Sequence, residues 1–436
     1  MRKTLSTVLL GLGLLSPACK KHDGTSAPGV IVERGAYATA PAAEATGGGA
    51  AAAGSAAAPT ATAAAHGPSG VRAGEWDDNA NYRDYVRWLA DAPRELARLD
   101  VADRQFIVVE DRDGKPVPNC PVAITGGQGS TSLVTMASGR AIVFPRAMGL
   151  AGGSIRATAT CAHATASASL VTTQLDNVLR LKLDQPRDLP ARRTVDLAFV
   201  LDTTGSMGEE IAAVKTTIQS VATTLATDQT DVRIGLVEYK DRTDPEVTRT
   251  YPFSADLQTF SASVARLSDG GGGDMPEDMH AGLAAALDKL EWRATAVARM
   301  IVVIADAPPH LDYTDERDFA DAARRAASRG IKLYTVSASG MDQVGQLVMR
   351  QLAQFTGASN MFVLRGGAGP DSVGGGDPAS ACGGTHASYA SGKLDRLILD
   401  KLAAELAAVD GDPLAIAGRG QDENAKPCDQ RLVRAM

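Results

Sequence analysis

At 436 residues the chain is longer than one hydrophobic core usually supports. Hydrophobic residues make up 44% of it, an ordinary share for a globular protein, although part of that share is alanine in tracts that cannot build a core. The formal net charge is -7 and the basic residues are scattered, which excludes the basic surface typical of nucleic-acid and anionic-lipid binding. We therefore expect about two or three folded units with linkers, and no nucleic-acid partner.

The N-terminus has the pattern of an export signal. A short basic start precedes an apolar run that ends at Leu15, and small residues follow up to Cys19. The segment LSPAC resembles the bacterial lipobox, and this resemblance implies that Cys19 is acylated. We predict a lipoprotein signal peptide over residues 1–19, with an ordinary cleaved signal as the alternative. The protein would then lie in the bacterial cell envelope, held only by lipid on the periplasmic or cell-surface side, or otherwise be secreted.

Residues 20–74 consist mainly of alanine, glycine, serine, threonine and proline. Such a stretch cannot offset the entropy lost on ordering by burying apolar surface, so we predict a disordered tether, with alanine-rich helix as the alternative. Residues 75–100 differ because aromatic and leucine side chains recur at roughly helical spacing. We expect a helical segment there, divided into two short helices at Pro93.

Residues 101–186 are expected to form an all-β unit, because short alternating apolar runs are separated by turn sequences. The alternation places Cys120 and Cys161 on inward faces, as a disulfide across a sandwich core would require. The segments VEDRDGKPVP, from Val109, and SGRA, from Ser138, resemble the carboxypeptidase regulatory-like, immunoglobulin-type β-sandwich. That resemblance implies a spacer or accessory binding domain without catalysis.

Apart from Cys19, the sequence contains Cys120, Cys161, Cys382 and Cys428. An even number of cysteines in a chain with an export signal favours two disulfides. We favour pairing Cys120 with Cys161 and Cys382 with Cys428, since each pair falls within one predicted unit. Four free thiols are the alternative.

The C-terminal half alternates apolar runs with amphipathic helices, the pattern of a doubly wound, mostly parallel sheet in an α/β fold. We place this unit at residues 192–412, with a glycine-rich insertion at 366–392 and a tail at 413–436. The candidate strands are 196–201, 232–238, 300–305, 331–336 and 361–364, and the candidate helices are 208–226, 257–267, 277–292, 316–329, 344–355 and 394–409. Ligands in such folds bind beyond the carboxyl ends of strands, which gives most weight to Asp202 and Asp306.

Asp202 begins the sequence DTTGSM, in which a carboxylate and the hydroxyls of Thr204 and Ser206 occupy alternate positions in a tight loop. Magnesium and calcium prefer oxygen ligands, and this loop fills part of an octahedron. The alternative is that Thr204 or Ser206 merely caps the following helix.

Two further loops strengthen the metal hypothesis. Residues 270–278 read GGGGDMPED before a helix, and residues 304–310 read IADAPPH after a strand. Together with the DTTGS loop, in this order, they resemble the von Willebrand factor A family and its metal-ion-dependent adhesion site. The closer likeness is to the A domains of hemicentins and slime-mould alpha-kinases.

The resemblance implies that Asp202, Thr204 and Ser206 contact a Mg²⁺ or Ca²⁺ ion and that Asp306 usually binds it through water. Many members supply a threonine from the middle loop, where this chain has Glu277, with Asp274 as the competing candidate. A glutamate at that place would tighten cation binding or fill the coordination position that a partner's carboxylate normally takes.

These features predict a protein that binds an unidentified protein partner through its metal ion and is not an enzyme. One alternative is a structural ion that only stiffens the loops. The other is a metal-dependent hydrolase, since His280 and His310 lie near the second and third loops and either could act as base for a Ser206 nucleophile. The strained elbow of a hydrolase nucleophile is missing, however.

Overall fold

The computed structural model describes residues 71–127, 129–150, 152–226, 230–314, 318–338, 340–364 and 390–415. The predicted signal peptide with Cys19 and nearly all of the tether lie outside the described residues. The same holds for most of the glycine-rich insertion with Cys382 and for most of the tail with Cys428.

The described residues form fifteen strands, seven α-helices and one short 3-10 helix. The strands are β1 (Arg72–Trp76), β2 (Gln105–Glu110), β3 (Pro121–Gly126), β4 (Gly129–Val134), β5 (Arg140–Val143), β6 (Ser154–Cys161), β7 (Ala164–Val171), β8 (Val178–Lys182), β9 (Thr194–Asp202), β10 (Asp231–Tyr239), β11 (Thr248–Ser254), β12 (Ala298–Ala305), β13 (Ile331–Ser337), β14 (Asn360–Val363) and β15 (Ala390–Lys393). The α-helices are α1 (Tyr82–Ala90), α2 (Ile211–Ala226), α3 (Leu257–Ala265), α4 (Met279–Asp288), α5 (Phe319–Ser328), α6 (Gln343–Phe355) and α7 (Leu394–Ala408), and the 3-10 helix is Gly205–Glu209.

The C-terminal half is built on an eight-stranded sheet with the order β11-β10-β9-β12-β13-β14-β1-β15. Five neighbouring strands of this sheet, namely β10, β9, β12, β13 and β14, pair in parallel. Antiparallel pairs lie at both sides, β11 with β10 and β1 with β14 and β15. The predicted α/β fold with a mostly parallel sheet is confirmed.

Helices cover both faces of this sheet, and every residue of β9 and β12 is therefore buried. Leu197 and Phe199 pack in a cluster with residues of α2, α3 and α7. Ala198 and Val200 point the other way and pack with residues of α4, α5 and α6. This alternation along continuously apolar strands explains why the sequence predicted them correctly.

The segment before the β unit belongs structurally to the large sheet. Arg72–Trp76 forms a strand between β14 and β15, so the predicted start of the helical segment at residue 75 is wrong. The rings of Trp76 and Phe362 pack with centroids 4.3 Å apart. Arg350 of α6 makes a buried bidentate ion pair with Asp78, at 2.8 and 2.6 Å, which ties this segment to the α/β unit.

Only one of the two helices predicted around Pro93 forms, namely α1, and the chain after it makes turns instead. Tertiary contacts take up backbone groups that a helix would need. Gln351 donates from Nε2 to Leu96 O at 2.7 Å and accepts from Leu99 N at 3.3 Å. These contacts outweigh the local helical pattern.

The β unit consists of a three-stranded sheet, β5-β2-β8, and a four-stranded sheet, β4-β3-β6-β7. The predicted disulfide between Cys120 and Cys161 is confirmed, with a Cα–Cα distance of 5.0 Å. The expectation that it crosses the core is wrong, because it joins neighbouring strands of one sheet. The antiparallel register pairs Val122 with Ala159, and this register sets the two cysteines opposite each other.

The β unit packs directly against helices of the α/β unit. Phe144 stacks on Phe355 at the end of α6, with ring centroids 5.0 Å apart. Gly330 lies at the start of β13, where a Cβ atom would come within 3.2 Å of Val134 O. These contacts lie at the opposite edge of the large sheet from the ends of β9 and β12.

Candidate metal centre

Two predicted site residues leave neighbouring parallel strands at the same edge of the sheet. β9 ends at Asp202, and Asp306 directly follows the end of β12. The strands pair with Leu201 beside Ile304, so the two aspartates emerge next to each other. Both are buried. This is the edge at which doubly wound folds bind their ligands.

Short polar contacts join four side chains at this edge. Thr204 donates from N and Oγ1 to Asp202 Oδ1, at 2.9 and 2.7 Å. Its Oγ1 lies 3.1 Å from Ser206 Oγ, which donates to Asp306 Oδ1 at 3.0 Å. Tyr239, which the sequence did not single out, donates from its hydroxyl to the other oxygen of Asp202 at 3.3 Å.

Glu277 follows the glycine run of residues 270–273 and lies beside the same loop. Its carboxyl group interacts with Thr204, which lowers its pKa, and its N–H donates to Pro308 O at 3.0 Å. Gly272, with φ of +76°, permits this close approach, since a Cβ atom there would lie 2.6 Å from Glu277 Oε1 and 3.2 Å from Thr204 Cβ. Glu277 is buried, and its Oε2 has no hydrogen-bond partner among the described residues.

Asp274, the competing candidate, lies in a different cluster. Its side chain is 64% exposed, and its Oδ1 is 3.8 Å from His310 Nε2. His310 Nε2 is also 3.3 Å from Asp241 Oδ1. Our sequence analysis did not identify Asp241 as a candidate. It could have been identified by its position, because it lies just after the end of β10, which pairs with β9 in the sheet.

Crowding of buried carboxyl groups raises their pKa values. Burial, together with the nearby charge of Asp202, raises the pKa of Glu277 to about 8. Burial likewise raises the pKa of Asp306 to about 7, again with a contribution from Asp202. Burial raises the pKa of Asp202 to about 6, although hydrogen bonds from Thr204 oppose the rise. Three acidic groups thus share one site, which favours a bound positive charge.

The donor set suits a hard divalent cation. Asp202, Thr204 and Ser206 offer a carboxylate and two hydroxyls from one loop, while Glu277 and Asp306 add carboxylates from two others. A buried carboxyl oxygen without a partner costs free energy, and an ion beside Glu277 Oε2 would satisfy it. The residues therefore fit Mg²⁺ or Ca²⁺.

The two histidines contact residues other than Ser206. The Nδ1 atom of His310 lies 2.8 Å from Asp312 Oδ1, and its ring stacks on Tyr313. His280 stacks on Phe319, and burial lowers its pKa to about 4. The Ser206 hydroxyl donates to Asp306, so the base that its hydrogen bond reaches is a carboxylate and not a histidine.

Residues 196–366 match the family model of the von Willebrand factor type A domain. The chain therefore contains a von Willebrand factor type A domain, hereafter the A domain, as the three loop motifs predicted. Such domains are typically interaction and adhesion modules, and many of them bind a divalent metal ion.

Two curated relatives match part of the chain. An alpha-protein kinase of Dictyostelium discoideum is 33% identical over 147 residues, which are 33% of this chain and 23% of the kinase. Matrilin-1 of Mus musculus is 27% identical over 175 residues, which are 39% of this chain and 33% of matrilin-1. The aligned region thus spans a third or less of the length of these relatives.

Among solved structures, an aerotolerance-related membrane protein from Bacteroides fragilis covers 38% of this chain and 89% of its own, at 17% identity and a TM-score of 0.29. Within the described part of the present chain, no helix combines the length and apolar character needed to cross a membrane.

Proposed function

We propose that the A domain binds a protein partner through a Mg²⁺ or Ca²⁺ ion held by Asp202, Thr204 and Ser206. The observation that carries this proposal is the series of short polar contacts from Asp202 through Thr204 and Ser206 to Asp306. It gathers oxygen donors at the sheet edge that lies opposite the contacts with the β unit. A partner can therefore approach this edge without displacing the β unit.

The ion, when bound, would supply a positive charge that accepts an acidic group of the partner as its last ligand. Asp202 is oriented for this role because Tyr239 and Thr204 hold both of its oxygens. Asp306, whose Oδ1 accepts from Ser206, would act through water, as the resemblance to the adhesion-site family implies. We infer a binding role without catalysis, and the kinase activity named for the Dictyostelium relative stays with that protein.

A purely structural ion is the second candidate, and the position of Glu277 favours it. This carboxyl group contacts Thr204 from the glycine run and lies where it can complete the coordination itself. The change Glu277→Gln separates the two candidates. If Glu277 closes the site, the variant should bind partner carboxylates more strongly than the native protein does.

We also propose that the chain is an exported bacterial protein anchored by a lipid on Cys19, and that its β unit is a carboxypeptidase regulatory-like sandwich. The Cys120–Cys161 disulfide supports export, because such bonds persist mainly in oxidising compartments. Labelling cells with a radioactive fatty acid should mark the native protein but not the Cys19→Ser variant. Equal labelling of both would contradict the anchor.

The binding proposal can be tested with a peptide display library whose members contain a single Asp or Glu, paired with the matching Asn or Gln peptides. Full-length protein should retain acidic members in Mg²⁺ and release them in EDTA. The Asp202→Ala variant should retain none while keeping the circular dichroism spectrum of the native protein. Retention that ignores both chelation and this substitution would reject the proposal.

A further inference from the structure

We propose that Asp241, Asp274 and His310 form a second metal site, suited to a transition-metal ion such as Zn²⁺. It is separate from the loop that contains Asp202, Thr204 and Ser206, hereafter the adhesion loop. Asp241 follows β10, Asp274 directly follows the glycine run of residues 270–273 before α4, and His310 lies in the loop after β12. One side-chain ligand atom from each residue lies within 4.8 Å of those of the other two.

The histidine supplies the independent indication of a cation. His310 is only 6% exposed, and its Nε2 has no hydrogen-bond partner among the described residues. This nitrogen points at the cluster, 3.3 Å from Asp241 Oδ1 and 3.8 Å from Asp274 Oδ1. A lone pair that faces two carboxylates is unfavourable unless a positive charge lies between them.

The other ring nitrogen sets the tautomer. Nδ1 of His310 lies 2.8 Å from Asp312 Oδ1, so in the neutral ring the proton belongs on Nδ1 and the lone pair on Nε2. A carboxylate behind a histidine is the usual outer partner of a metal-bound imidazole. The competing explanation, a proton on Nε2 that pairs with Asp241, requires no metal and is separated by the experiment below.

The two carboxylates are arranged for different parts of the task. Asp241 is buried and fixed, because Tyr313 OH donates to its Oδ1 at 3.0 Å and Thr243 donates to its Oδ2 from N and Oγ1. Asp274 has a side chain that is 64% exposed. The cluster therefore combines a buried, fixed ligand, Asp241, with a solvent-exposed ligand, Asp274, and an ion can reach it from the exposed side.

The donor types select the class of metal. One imidazole nitrogen with two carboxylates suits zinc and its first-row neighbours, whereas Mg²⁺ and Ca²⁺ prefer oxygen ligands alone. Three protein ligands leave a fourth position for water, as in zinc sites that are open to solvent. The adhesion loop, with oxygen donors throughout, should show the opposite preference.

An ion at this second site would fix the loop that carries Glu277. The N–H of His310 donates to Glu277 O at 3.2 Å, and the N–H of Glu277 donates to Pro308 O at 3.0 Å. Any effect on partner binding rests on the proposed function, but the presence of the second site does not.

The test uses full-length protein stripped of metal and then saturated with Mg²⁺. Zn²⁺ is titrated by calorimetry, and Co²⁺ by its visible absorption, in the native protein and in His310→Ala. We expect the alanine variant to lose one tight equivalent, with affinity reduced by more than about a hundredfold. Asp274→Asn should weaken binding by about tenfold, and His163→Ala, at an exposed histidine of the β unit, should change nothing.

Asp274→Asn decides the matter if His310→Ala fails to fold, because an exposed side chain can be changed without disturbing the core. Zn²⁺ affinity and Co²⁺ spectrum that are unchanged in either folded variant would overturn the second site, as would a native protein that binds no zinc. Asp202→Ala distinguishes the two proposals, since it should abolish Mg²⁺ binding and leave the Zn²⁺ equivalent in place.

Discussion

Binding of Mg²⁺ to the adhesion loop should release protons, because the ion requires ionised carboxylates and the ion-free site disfavours them. The pKa values are about 8 for Glu277, about 7 for Asp306 and about 6 for Asp202. At pH 7 these groups together hold about one to two protons, and at pH 8.5 they hold less than about half a proton. Affinity should therefore fall about tenfold from pH 8 to 7 and about a hundredfold from pH 7 to 6.

The stability of the ion-free protein should change with pH in the opposite direction to the affinity for Mg²⁺. Burial raises the pKa values of these carboxyl groups above those of the unfolded chain, so their contribution to stability is largest at low pH. It is lost as the pH rises toward about 8, the highest of the three values. The melting temperature of ion-free protein should fall from pH 6 to pH 8, and the increase on adding Mg²⁺ should be larger at pH 8.

Calorimetric titrations in two buffers of different ionisation enthalpy measure the released protons directly. Glu277→Gln should lower the release at pH 7 by about one proton, because this group is mostly protonated before binding. Asp269→Asn, at an exposed position just before the glycine run, is the matched control and should change nothing. Binding without proton release, or affinity that is flat from pH 6 to 8, would refute the reasoning.

Three further predictions concern the architecture and can be checked by urea unfolding. Cys161→Ser removes a disulfide that closes a loop of 41 residues and should cost about 2 to 4 kcal/mol under non-reducing conditions; equal midpoints with the native protein would contradict this. Phe144→Ala should cost about 3 to 5 kcal/mol by opening the contact between the β unit and the A domain, and an unchanged midpoint would show that the two do not pack together. Arg350→Ala should cost about 3 to 5 kcal/mol because it leaves the buried Asp78 unpaired, whereas a negligible loss would detach the N-terminal strand from the A domain.

The central strands could be predicted because their apolar runs are continuous and bounded by loops, as burial on both faces requires. The outer strands could not be predicted in this way. β11 is half-exposed and contains Pro252, which weakens a strand pattern. β1 contains charged residues and a glycine, and it is a strand only because it pairs with β14, nearly three hundred positions further along the chain. Its partner could not be read from local sequence.

The placement of Asp202 beside Asp306 was predictable for a similar reason, since both follow buried strands and neighbouring parallel strands end at one edge. Which of Glu277 and Asp274 lies beside Thr204 was not predictable, because it depends on the path of the glycine run, residues 270–273. Positive φ angles at three successive glycines, 270–272, turn the chain so that Glu277 faces Thr204. A run of identical glycines does not indicate which backbone conformation each of them adopts.

The cluster of Asp241, Asp274 and His310 could be found only once the order of strands in the sheet was known. Asp241 belongs to the loop after β10, and nothing in the local sequence connects it with a histidine 69 positions later; the two meet because β10 and β12 flank β9. The disulfide shows the same dependence. Inward alternation favoured the pair Cys120 and Cys161, but only the register of β3 with β6 shows that the bond lies within one sheet.

The most direct test of the central claim is a calorimetric titration of full-length, ion-free protein with Mg²⁺ and Ca²⁺, with Asp202→Ala measured in parallel. The native protein should bind one equivalent, and the variant should bind none while its circular dichroism spectrum stays native. A folded variant that binds as tightly as the native protein, or a native protein that binds neither ion, would contradict the assignment of the adhesion loop as a metal site.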